Sequence, residues 1–284
     1  MQKLLTELKK EQPWLHFSDA TVLQKTLSTL DKAYKNFFKK PNQFEKPKFK
    51  FCVAENFVTK DGDFLSLDDL DKQIPIMAEK GAKFITLSGG EPSLSPDLHK
   101  ITHKLYESGL FDGICIITNF THPENLVKCV DDLSFIRVSL GVYKNKFTLN
   151  KINKFVEENP KAQVRVQVLL SNLKNGFSKI EDLNWLREHL DNRVTIACST
   201  LRLANDWCIE HQADEDYWRA QGDETVTNRC IITLNDGTDI VLRTASVDIT
   251  GEDPVEEEMV MSWDGSLHRG FKEIGYKLQS DEVK

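Results

Sequence analysis

The chain has 284 residues, of which 29% are charged and 40% hydrophobic, and its formal net charge is -7. That balance excludes fibrous, collagen-like and fully disordered chains, and it supplies apolar residues for one sizeable core. No run approaches the roughly 18 apolar residues of a membrane span, and the start, MQKLLTELKKEQPW, lacks a secretory apolar region.

Six cysteines stand at 52, 115, 129, 198, 208 and 230 without a CxxC pair. In a chain of this length they do not form a disulfide framework, so a cytoplasmic location with no membrane partner is expected. Charge is uneven. Residues 1–50 carry a net +6 and the remainder a net -13, which separates a basic arm from an acidic body.

In the arm, Ser18 or Asp19 can cap a helix whose stripe is Leu23, Leu27, Leu30, Tyr34 and Phe37. The helix should stop before Pro41, and residues 41–50 then form a basic connector. KFKFCVA (48–54) reads as a first strand. From Lys83 onward, β-rich runs recur: KFITLSG (83–89), GICIITNF (113–120), SFIRVSLG (134–141), AQVRVQVLLS (162–171) and NRVTIACSTL (192–201). Helix-like stretches separate them, namely LDDLDKQIPIMAEKGA before the first and then SPDLHKITHKLYESGL, HPENLVKCVDDL, TLNKINKFVEENP and IEDLNWLREHL. Such alternation predicts parallel strands joined by crossover helices and buried on both faces. After Arg202, CIITL and DIVLRTA flank Asn235-Asp236-Gly237-Thr238, a hairpin signal. EDPVEEE (252–258) reads as an acidic loop.

The expected fold is α/β. It is a partial (β/α)6 TIM-like barrel with an N-terminal helical arm and a small C-terminal β-hairpin extension. The expected domains are 1–50, 51–205 and 206–284.

The sharpest local feature is Ser88-Gly89-Gly90-Glu91-Pro92, where a strand ends and a helix begins. Ligands collect at the C-terminal ends of parallel strands, two glycines let a ligand approach backbone closely, and a carboxylate can accept from an amine. The alternative is a plain strand-to-helix turn. Asn119 could equally cap a helix, and Ser139 could be a small residue filling a barrel layer. Arg165 and Gln167 alternate with valines and could form an ordinary polar edge. Cys115, Cys129 and Cys198 fit core positions better than ligand positions. Cys208 and His211 are the only close Cys/His pair, which leaves a zinc site unsupported.

The Gly-Gly-Glu-Pro turn, in this order of strands, resembles the radical SAM enzymes over about residues 51–205. In that family the turn holds the amino group of S-adenosylmethionine (SAM), which implies cofactor contacts for Gly89, Gly90, Glu91 and Pro92. Thr118-Asn119 resembles the family's TN(G) strand end, with Phe120 in place of the glycine. Arg137-Val138-Ser139-Leu140-Gly141 resembles its VSLDG-like strand without the aspartate, and implies a ribose or carboxylate contact for Ser139. The strand holding Gln167 sits where the family packs the adenosine.

The resemblance also implies a [4Fe-4S] cluster held by CxxxCxxC, with an aromatic residue before the third cysteine. Phe51-Cys52 matches that end, making Cys52 the one candidate metal ligand. The other two positions are Glu45 and Phe49, and neither replaces a soft thiolate. The ordinary cluster therefore cannot form from this loop, and whether the chain is an active enzyme stays open.

Residues 13–50 resemble the N-terminal region of OrfB/TnpB-type transposon proteins. The match runs through Trp14, Leu15, Ser18, Leu23, Gln24, Leu27, Leu30, Ala33, Phe37, Phe38 and Pro47-Lys48-Phe49-Lys50. The resemblance implies a gene fusion at 49–52 and a weak nucleic-acid contact through arm 1–50, against the alternative of a solvated lysine face. The competing functional expectation is thus a nucleic-acid-binding transposon remnant. The substrate is not legible.

Overall fold

The structure, a computed structural model, describes residues 65–201, 206–226, 229–243, 259–261 and 267–269. Two compact units divide the chain, Met1–Phe49 and Lys50–Lys284, and every described residue belongs to the second. The arm helix, the strand at 48–54, Cys52 and the acidic loop at 252–258 lie outside the described residues.

Five strands alternate with connections in chain order: β1 (Phe84–Leu87), β2 (Gly113–Thr118), β3 (Phe135–Gly141), β4 (Val164–Leu170) and β5 (Thr195–Thr200). Each pairs in parallel with the next. Helix α1 (Leu67–Glu79) precedes β1, and α2 (Leu98–Glu107), α3 (Lys146–Glu158) and α4 (Ile180–Glu188) serve as crossovers. Ser66 caps α1 by accepting from the Asp69 backbone N–H at 3.0 Å, and Leu70, Ile74 and Met77 form its buried stripe.

One connection departs from expectation. HPENLVKCVDDL forms two 3₁₀ turns, Pro123–Asn125 and Val127–Cys129, rather than a helix. Neither turn has a side-chain cap, and Pro123 sits at the start of the first. Leu126 and Cys129 still reach the core, so the connection packs without a full helical stripe.

After two short helices, α5 (Asp206–Glu210) and α6 (Glu215–Arg219), the chain forms β6 (Asp223–Val226), β7 (Arg229–Thr233) and β8 (Asp239–Arg243). The Asn-Asp-Gly-Thr hairpin joins β7 to β8, and Gly237 adopts the positive φ of 83° that its turn requires. The hairpin does not stand apart from the barrel strands. β8 pairs in parallel with β5, giving one open eight-stranded sheet of order β1-β2-β3-β4-β5-β8-β7-β6. A separate antiparallel pair joins β9 (Met259–Met261) to β10 (Leu267–Arg269). No helix among the described residues is long and apolar enough to cross a membrane.

The core lies on one face of the sheet. Ile114, Ile116, Ile136, Val138, Val164, Val166, Val168, Ile196, Cys198, Ile240 and Leu242 join buried residues of α1 to α4 there. Burial of the strands on both faces is corrected for β3, β4 and β5, where buried positions alternate with partly or fully exposed ones, and for β1, where no residue is fully buried. Helices pack on one side of these strands, so the other positions can be polar without desolvation cost. The opposite face carries Arg137, Ser139, Arg165, Gln167, Ser199 and Val241.

Candidate functional site

The turn after β1 is built around one carboxylate. Oε1 of Glu91 accepts from the Ser93 backbone N–H at 3.0 Å, the Ser93 hydroxyl at 2.5 Å and the Thr118 hydroxyl at 2.6 Å. Oε2 accepts from the Asn119 backbone N–H at 2.7 Å. Glu91 thus caps the 3₁₀ turn Pro92–Leu94 and clamps it to the end of β2. Oε1 is saturated, whereas Oε2 has a lone-pair direction left for another donor.

The glycines beside it are bare. A methyl group built on Gly89 or Gly90 meets nothing within 4 Å, and Gly89 has φ of 147°, which side chains rarely adopt. Backbone here can be approached by a ligand, which is the steric condition for a cofactor cradle.

The end of β2 needs a left-handed residue. Phe120 has φ of 61° and is the only non-glycine with positive φ among the described residues. This is the position where the radical SAM pattern carries glycine, and the strain is of order 1 kcal/mol for a side chain. The ring is buried and stacks edge-on against Phe155 with centroids 5.3 Å apart, which offsets that cost. Asn119 is exposed, and its Oδ1 accepts from the Thr121 backbone N–H at 2.9 Å and the Thr121 hydroxyl at 2.6 Å. Its side chain therefore orders its own loop.

Ser139 and Gln167 are register partners on β3 and β4, both half-buried on the face away from the helices. The Gln167 amide donates to the Ser199 hydroxyl at 3.3 Å. A bulge separates Ser139 from Gly141, and Gly141 takes φ of 65°. The aspartate missing from the VSLDG-like pattern is thus replaced by a residue suited to a left-handed bulge.

The structure places Gly89, Gly90, Glu91, Pro92, Asn119, Ser139 and Gln167 on four successive strands or the turns leaving them. Sequence reasoning missed Ser93. It is fully buried and binds Glu91 through both its hydroxyl and its N–H, and its signal was a serine two residues after a capping carboxylate.

The described residues do not fit an iron–sulfur cluster. Cys115, Cys129, Cys198, Cys208 and Cys230 are each buried and outside any disulfide, and no group of three His, Cys, Asp or Glu side chains gathers among the described residues. Burial pushes the Cys129 and Cys198 thiols up, away from the thiolate that binds iron. Cys115 lies 3.2 Å from the Thr86 hydroxyl, a core contact between β2 and β1.

The radical SAM superfamily model matches residues 50–182. GTP 3',8-cyclases of Vibrio atlanticus (strain LGP32) and Vibrio parahaemolyticus are 25% and 27% identical over 155 and 158 residues. Each alignment covers 49% of this chain and 46% of the relative. The GTP 3',8-cyclase of Rhizobium etli is 30% identical over 154 residues, 48% of this chain and 43% of its own. The chain therefore spans less than half the length of these relatives. The matches lend no support to the transposon-like reading of 13–50 or to a gene fusion. Across residues 50–182, a little under half of its length, the chain is thus similar to the radical SAM superfamily.

Proposed function

We propose that this domain binds S-adenosylmethionine along the turn Gly89–Pro92, the end of β2, and the face of β3 and β4 that carries Ser139 and Gln167. The observation that carries the reading is the Glu91 clamp, which fixes a bare Gly-Gly turn against the next strand and keeps one acceptor of Oε2 free. In this reading Glu91 and the turn backbone take the ammonium group of the methionyl part. Ser139 meets the ribose or carboxylate, Gln167 lines the adenosine side, and Asn119 shapes the loop between them.

Bound SAM supplies a 5'-deoxyadenosyl radical after reductive cleavage in radical SAM enzymes that hold a [4Fe-4S] cluster. The family implies that cluster, but the described residues supply no matching set of thiolates, and we assign this chain no step through it. The residues' own part is to bind, orient and exclude water at the strand ends. By their names the relatives act on GTP, so a purine nucleotide is the first substrate to test in the loaded protein. For residues 1–50, a salt-sensitive contact with nucleic acid remains a proposal resting on their net charge of +6.

Equilibrium dialysis with labelled SAM tests the reading. Saturable one-to-one binding, weakened at least about tenfold by Glu91→Gln, is the expected result. Absence of binding to the unaltered chain overturns it.

A further inference from the structure

On the face away from the helices, one row below Ser139 and Gln167, two arginines stand side by side. Arg137 on β3 and Arg165 on β4 are direct register partners, and such partners lie about 4.8 Å apart across a sheet. Both guanidinium groups converge on the ring of Phe135, with Arg137 Cζ 5.6 Å and Arg165 Cζ 5.0 Å from its centroid. No carboxylate pairs with either one among the described residues, although ion pairs are frequent elsewhere on the molecule. Arg165 makes one long hydrogen bond, from Nε to the Thr195 hydroxyl at 3.4 Å. Nε of Arg137 is buried with no hydrogen-bond partner.

Two like charges over one ring repel, and a buried guanidinium donor without an acceptor is costly. An oxygen-rich anion set against the pair would remove both penalties, because each guanidinium offers a planar fork of donors that matches phosphate or carboxylate oxygens. Phe135 holds the forks from below by cation–π contact. Lysine would not reproduce that geometry.

We propose that Arg137 and Arg165 form a binding site for a phosphate or carboxylate group of the substrate. The site lies on the sheet face that also carries Ser139 and Gln167. The anion site rests on the arginines alone, and its assignment to the substrate rests on the SAM reading above. Substrates of this chain would then carry their anionic end toward the strand N-termini and their reacting end toward the strand C-termini.

Isothermal titration of the full chain with pyrophosphate, and in a parallel arm with malonate, tests the site without SAM. The arm that binds more tightly names the anion as phosphate-like or carboxylate-like. Binding in at least one arm should weaken about tenfold or more in Arg165→Gln and in Arg137→Gln, and stay within about twofold in Lys100→Gln on α2. Arg165 is exposed, so its variant tests the site without disturbing the core. Arg137→Lys, which keeps charge but loses the fork, should fall between the unaltered chain and Arg137→Gln. No binding in either arm, or equal binding by the unaltered chain and Arg165→Gln, overturns the proposal. A chain that takes up pyrophosphate but not SAM would leave the anion site standing and remove the SAM reading.

Discussion

Oε2 of Glu91 accepts the backbone N–H of Asn119 at 2.7 Å, joining the turn that leaves β1 to the end of β2 across 28 residues of chain. A residue expected to meet a ligand is also a structural clamp. Glu91→Gln should therefore lower stability as well as ligand affinity. The amide replaces an acceptor with a donor that faces other donors, so a loss of about 1–3 kcal/mol is expected in urea unfolding. Glu91→Asp, which keeps the charge but shortens the reach, tests whether geometry or charge dominates.

Phe120 carries a strained backbone and a buried ring, and the two effects can be separated. Phe120→Ala keeps the positive φ penalty and loses the ring. Phe120→Gly loses the ring but relieves the backbone. The glycine variant should be more stable than the alanine variant by about 1 kcal/mol, although both fall below the unaltered chain. Equal stabilities by thermal unfolding would show that the left-handed turn is not populated.

Arg187 is buried and donates from its guanidinium to the carbonyls of Val194 at 2.7 Å, Leu190 at 2.8 Å and Asp191 at 2.5 Å. Its Nε lies 3.8 Å from Asp236 in the hairpin turn. It thus ties the end of α4 to the entry of β5. Arg187→Met should cost about 3 kcal/mol or more, because three carbonyls lose a charged donor together. Chemical denaturation measures it.

Lys144 and Asp182 form an ion pair at 2.5 Å, with the side chains 29% and 17% exposed. Burial pushes the Asp182 carboxyl up. The Lys144 ammonium and the Lys179 and Ser178 backbone N–H groups outweigh that and hold it below the usual carboxylate range. Its folded pKa is depressed, so its stabilising contribution is present above the unfolded carboxylate value of 3.8 and is lost as pH falls through the lower folded value. Stability of the unaltered chain should drop over that acid window, and Asp182→Asn should flatten the drop. An identical acid profile in both proteins would assign the drop to other carboxylates.

The βα alternation was legible because each strand run carries consecutive β-branched or apolar residues, as in Ile114–Ile117, with an amphipathic stretch between runs. The Asn-Asp-Gly hairpin was legible from its turn residues. Where β8 docks was not, because strand pairing between β5 and β8 leaves no local pattern in either segment. The stretch 122–133 was misread since Leu126 and Cys129 reach the core at helical spacing although two 3₁₀ turns carry them. At the site, Glu91 stood out by motif. Its partner Ser93 did not, and Thr118 stood out only within the Thr118-Asn119 strand end and not as a donor to Glu91, because small hydroxyl residues gain meaning only through the acceptor they meet. The arginine pair was hidden by register: Arg137 and Arg165 lie in different runs, and only the ladder makes them neighbours.

The parallel docking of β8 on β5 also sets an order of events during synthesis. Ala197 cannot find its ladder partner until Val241 has left the ribosome. Until then the chain presents an unfilled strand edge beside Ile196 and Cys198, the kind of template that recruits other chains. A product ending before the hairpin would keep that edge permanently. It should therefore accumulate as aggregate even though α4 and every strand up to β5 are intact, and a chaperone that shields nascent edges would be needed longest between residues 201 and 243.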